Sequence, residues 1–144
     1  MLIDDKCVFS DSQAITVTAD GTNKINVMKL LGKGQPVLVD FHIVETFLAL
    51  TSLKIELQQA DTESGGYTAT SASKTITLAS GGLAKGKKIG FRFLPRDVTK
   101  PWLKVVYTVT GTAATAGKVF AAIVREEQDS YEAGQYIDKG VVVA

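Results

Sequence analysis

One cysteine, one histidine, one tryptophan and three prolines are all that 144 residues hold of those types, and most of these scarcities exclude a class of protein. A lone thiol, Cys7, cannot build an internal disulfide framework or a multi-cysteine metal site, and it fits a reducing compartment. With His42 as the only histidine, a histidine-based metal site would have to lean on carboxylates. No apolar run approaches the ~20 residues needed to cross a bilayer. The opening Met1-Leu2-Ile3-Asp4-Asp5 carries acid where a secretory leader carries positive charge, so a protein made in the cytoplasm and not secreted is expected. Neither sign of charge is in excess: 16 basic residues face 15 acidic ones, which gives no sign of a basic surface for nucleic acid. No membrane, nucleic-acid or cofactor partner is expected.

What is present is alternation. Val37, Val39, Phe41 and Ile43 share one parity, with Asp40 and His42 on the other. Leu53, Ile55 and Leu57 alternate with Lys54, Glu56 and Gln58. The same period of two recurs at Ile76 and Leu78, at Ile89, Phe91 and Phe93, and at Leu103, Val105, Tyr107 and Val109. Period two buries one face and wets the other, as in antiparallel sheets. Residues 14–18 form a further short run before Asp20-Gly21, and residues 118–124 are apolar on both parities, which suits a central strand or an interface. Helical spacing occurs at Phe47, Leu50, Leu53 and Leu57. The break at Thr51-Ser52 and the strict alternation after it favour a turn followed by a strand. Residues 28–31 fit a single turn before Gly32 and Gly34.

Seven or eight short strands separated by turn residues predict one all-β domain over residues 1–144, an antiparallel β-sandwich of jelly-roll type. The sandwich takes residues 10–125. Residues 126–144 differ in character, with mixed charge, Gly134 and Gly140, and a Val141-Val142-Val143 end. They read as an extended C-terminal arm, which would span roughly 60 Å when fully extended.

Catalytic chemistry is hard to find. Residues 81–87 fit the G-x-x-x-x-G-K part of a phosphate-binding loop. Lys88 stands where Ser or Thr should hold magnesium, and a strand pattern follows where a helix is needed. Nothing local to Cys7 or His42 marks a nucleophile–base pair. Asp40, Glu45, Glu56, Asp61, Glu63 and Asp97 are scattered over strand faces and turns, as solvated charge would be. Lys85, Lys87 and Lys88 form the densest basic cluster, with no aromatic stacking platform beside it. It fits loop charge or contact with an acidic protein surface. Trp102 follows Pro101, which makes it either the closing side chain of the sandwich end or an exposed anchor for a partner. The reading is that of a protein that is not an enzyme, with no catalytic, metal or cofactor residues.

Several phrases carry a resemblance: Phe9-Ser10-Asp11-Ser12-Gln13-Ala14-Ile15-Thr16, then Gly34-Gln35-Pro36-Val37-Leu38-Val39, then Thr51-Ser52-Leu53-Lys54-Ile55-Glu56-Leu57-Gln58. Leu94-Pro95 and Trp102-Leu103-Lys104-Val105-Val106-Tyr107-Thr108-Val109-Thr110-Gly111 continue it. Over residues 9–125 the chain resembles capsid cement (decoration) proteins of tailed bacteriophages. The resemblance implies a jelly roll on the outer surface of an icosahedral virion that clamps adjacent major capsid subunits, working as a dimer or similar small oligomer. The competing reading is a β-sandwich that binds a ligand or carbohydrate. Candidate interface residues are Trp102, then Val119, Phe120 and Ile123 in a run proposed to pair two copies, and Tyr131, Tyr136, Ile137, Val141, Val142 and Val143 in the arm.

Overall fold

The computed structural model describes residues 5–27, 38–91 and 97–124. Among them are seven strands: β1 (Val8–Ala14), β2 (Ala19–Asp20), β3 (Ile25–Asn26), β4 (Leu38–Ala60), β5 (Thr68–Thr77), β6 (Lys88–Phe91) and β7 (Trp102–Val124). Single 3-10 turns at Asp5–Cys7 and Leu78–Ser80 are the only helical elements among the described residues. The turn expected at residues 28–31 and the arm at residues 126–144 lie outside the described residues.

All pairings are antiparallel, and the strand order is β1-β7-β4-β5. The two 23-residue strands β4 and β7 pair from Leu38↔Val124 to Ala60↔Trp102. β1 adds to one end of β7, whereas β2 and β3 add to its other end. Likewise β6 adds to the first part of β4 and β5 to the last part. The sheet therefore has two halves that share their long strands.

Those halves lie one over the other. Ser10 pairs with Ala121, yet its hydroxyl accepts a hydrogen bond from Tyr107 at 2.9 Å. On a straight β7, Tyr107 and Ala121 would stand roughly 45 Å apart. The strand must fold back, and the register shows where: the ladder steps from Leu48↔Ala116 to Leu50↔Gly111, so β7 has surplus residues there. They bow toward the N-terminal segment, where Ala114 N–H donates to the Thr16 carbonyl and Ile15 N–H to the Gly117 carbonyl. Gly117 has φ +142°, and a Cβ there would sit 2.3 Å from the ring of Phe47, which is fully buried. Glycine is what lets the two pass.

One core fills the fold. Phe9, Phe41 and Ile43 come from one half, and Leu53, Ile55, Leu57, Leu103, Val105 and Tyr107 from the other. The antiparallel all-β expectation holds, with one correction of detail. Two pairs of expected short strands are each one long strand, because the segment between them stays paired through bulges. Among the described residues the strands form one folded antiparallel sheet of seven strands. The helical-looking spacing of Phe47, Leu50 and Leu53 is a product of those bulges. Three of the shifts insert one residue in β4 and reset the parity, and the fourth, beside Ala49 at φ 78°, places the surplus in β7.

Candidate functional site

The segment read as a decoy for a phosphate loop is a turn. Gly81 and Gly86 take positive φ, Leu83 is buried in the core, and Lys88 opens β6. Gly86 N–H and Lys87 O bond to Ile43, which fixes this connection to β4. Among the described residues no helix amino end faces it to cradle phosphate.

His42 and Asp40 lie on the outward face of β4 and bond to each other, with Asp40 largely buried. The His42 ring packs at 5.9 Å from that of Phe120 across the ladder. Beside them Val8, Ala122 and Val124 form a small second apolar cluster. Cys7 instead packs against the main core. The scattered carboxylates have separate partners: Glu45 accepts from Gly117 N–H and faces Lys118, Asp61 faces Lys100, and Asp97 accepts from Ser71. Glu56 is held below the usual carboxylate range, first by the Gln58 hydrogen bond and then by that of Lys54. Among the described residues no group of three or more His, Cys, Asp or Glu is arranged to hold a metal ion.

The candidate interface residues part company. Trp102 is half-buried at the start of β7, opposite Ala60 and Asn26. Val119 and Ile123 point into the main core, so they are not available to a partner, whereas Phe120 projects outward. The run 119–124 also cannot pair two copies through its backbone, because β7 is hydrogen-bonded to β1 on one side and β4 on the other. Being apolar on both parities reflects burial on both faces of a central strand. Tyr131, Tyr136, Ile137, Val141, Val142 and Val143 lie outside the described residues.

Two surface grooves flank the connection at residues 81–87. The larger, about 450 Å³, has Ser12, Glu45, Leu48, Lys85 and Lys118 around it, and its Leu48 is 53% exposed. The other, about 310 Å³, lies between β5 and β6 and is lined by Lys74, Thr75, Thr77, Ser80, Lys87 and Lys88 over Ile76 and Ile89. Sequence reading missed Lys74, a single lysine in a Thr- and Ser-rich strand, because only the fold brings it to the Lys87 cluster. It also missed Gln59, whose amide bonds the Asp97 carbonyl and the N–H groups of Thr99 and Lys100, tying the entry of β7 to β4.

The model of the family described as Bbp16 matches residues 9–123. That stretch runs from the second residue of β1 to the penultimate residue of β7, so the shared unit is the folded sheet. The match is consistent with a phage protein. No curated protein matches the chain. Among the described residues no helix is long and apolar enough to cross a membrane.

Proposed function

The chain belongs to the Bbp16 family, and from that premise we propose that it is a structural protein of a phage virion. It binds the outer surface of the icosahedral capsid as a dimer and stabilises the shell by clamping adjacent major capsid subunits. The observation that supports this reading best is the coincidence of the family match with the whole folded sheet, which makes the scaffold itself the shared feature. A clamp needs a stiff body that passes load between distant contacts, and two strands that run through both layers supply one. Many copies on one shell also let a modest interface matter, since each bound copy adds its free energy to the closed state.

A ligand- or carbohydrate-binding module has less support. It would present several aromatic side chains on one face, whereas Phe9, Phe41, Phe47 and Tyr107 are fully buried. Tyr67 lies under the ammonium groups of Lys24 and Lys104. The deciding experiment is co-sedimentation with intact virions, followed by mild stripping. The expected result is a protein released without opening the shell; a protein absent from purified virions overturns the proposal.

A further inference from the structure

Charge is divided unevenly along the chain. Residues 125–144 hold two basic residues against five acidic ones, net −3, which leaves residues 1–124 with 14 basic and ten acidic, net +4. Four of those carboxylates, Glu126, Glu127, Asp129 and Glu132, fall within seven residues.

The folded body has a matching place. The groove between β5 and β6 is lined by lysines and hydroxyls with no carboxylate among them. Lys54, Lys100, Lys104 and Lys118 each face a carboxylate. Lys74, Lys85 and Lys87 are exposed and have no ion pair among the described residues. Lys74 and Lys87 thus stand together at one edge, around an apolar floor of Ile76 and Ile89, with Lys85 in the turn beside them.

The acidic stretch starts close by. Val124 pairs with Leu38, and the next residue of β4, Val39, pairs with Phe91 of β6. The end of β7 is therefore about 10 Å across the sheet from β6, two strand spacings away. Lys88 lies three residues along β6 from Phe91. An extended chain covers about 3.4 Å per residue, so residues 126–132 can reach Lys87 and Lys74 of their own molecule. A tether this short raises the local concentration to the millimolar range, which favours the chain's own segment over that of a second copy in dilute solution.

We propose that the acidic stretch at residues 126–132 docks in cis in the groove between β5 and β6, with its carboxylates over Lys74 and Lys87. The docking does not depend on the capsid role. It is tested on the full chain by amide hydrogen exchange, with each variant referenced to its own unfolded rates. At low salt the stretch should exchange about tenfold more slowly than an unfolded chain, the size that a few exposed pairs supply together. That protection should vanish at about 0.5 M salt, where the screening length falls to roughly 4 Å. It should also vanish in K74E/K87E and in E126K/E127K, and return when the two are combined. An unprotected stretch in the unaltered chain, or failure of the combined variant to regain protection, overturns the proposal. So does protection that grows with protein concentration, which would place a second copy's segment in the groove. If the charge variants unfold, the salt titration of the unaltered chain decides.

Discussion

Tyr107 and Ser10 join the two layers through one hydrogen bond in the interior, and both residues are fully buried. Tyr107 O–H donates to Ser10 Oγ at 2.9 Å, and the Ser10 hydroxyl donates in turn to Gln13 Oε1 at 2.8 Å. The same Gln13 oxygen accepts from both the N–H and the hydroxyl of Thr22. Removing Ser10 and removing Tyr107 should therefore differ. Ser10→Ala leaves a phenol buried without an acceptor, a loss of about 1–3 kcal/mol. Tyr107→Phe removes the donor but leaves the Ser10 donation to Gln13 intact, so it should lose only about 0.5–1.5 kcal/mol. The double variant removes both ends, and Gln13 keeps its two bonds from Thr22. It should be more stable than Ser10→Ala alone by about 1 kcal/mol, or roughly 4 °C in melting temperature for a domain of this size. Urea titration followed through the single tryptophan, Trp102, measures all four chains. If Ser10→Ala is no worse than Tyr107→Phe, or if the two losses simply add, the layers are not joined as described.

Gly117→Ala combines an unfavourable positive φ with overlap against Phe47, and should lose about 2–5 kcal/mol in urea unfolding or fail to fold. Gly86→Ala, at φ +86° with nothing within 4 Å of the new methyl, should lose only about 1–2 kcal/mol. Burial pushes the Tyr107 hydroxyl well above the ordinary tyrosine value of 10.0, so the unfolded chain releases its proton first. Stability should then fall as pH rises beyond about 10, and Tyr107→Phe should flatten that decline. Glu56 has the opposite sign: held below 4.5, it supports the fold above that pH and loses the effect as acid protonates it, so Glu56→Gln should flatten the acid limb of a pH series of melts. A chain ending at Arg125 should melt within a few degrees of the full chain, since every described strand lies within residues 8–124, yet occupy cement-free capsids far more weakly. Unchanged occupancy would make residues 126–144 irrelevant to shell binding.

Strand type was legible because alternation reports burial directly: Leu53, Ile55 and Leu57 are fully buried, and Lys54 and Glu56 are paired on the other face. Strand length was not, because a bulge costs one residue and looks like a break. Ala49 and Gly111 interrupt the pattern while leaving the ladder intact on either side. The run at residues 118–124 showed the limit of parity. Apolar residues on both faces mean burial on both faces, and the sequence does not say whether the chain itself or a partner supplies the cover. The structure assigns Val119 and Ile123 to the core. Of the charge cluster, Lys85, Lys87 and Lys88 were visible as neighbours in sequence, whereas Lys74 joins them only after β5 and β6 have both docked on β4. The Gln59 latch was hidden for the same reason, since its partners lie about forty residues away.

The position of β7 has a consequence for synthesis. It lies inside the sheet, and β1, β2, β3 and β4 all bond to it. Val8 must wait for Ala122, and until then the first strand and the inner edge of β4 have no partner from β7. A ribosome that has completed everything up to residue 101 holds a chain in which β1, β2, β3 and the inner edge of β4 still lack β7. The fold can close only after residues 102–124 have cleared the exit tunnel. Assembly of the sheet is therefore a late event with distant contacts, slow by the standards of local helical folds, and the nascent chain carries unpaired strand edges for most of its synthesis.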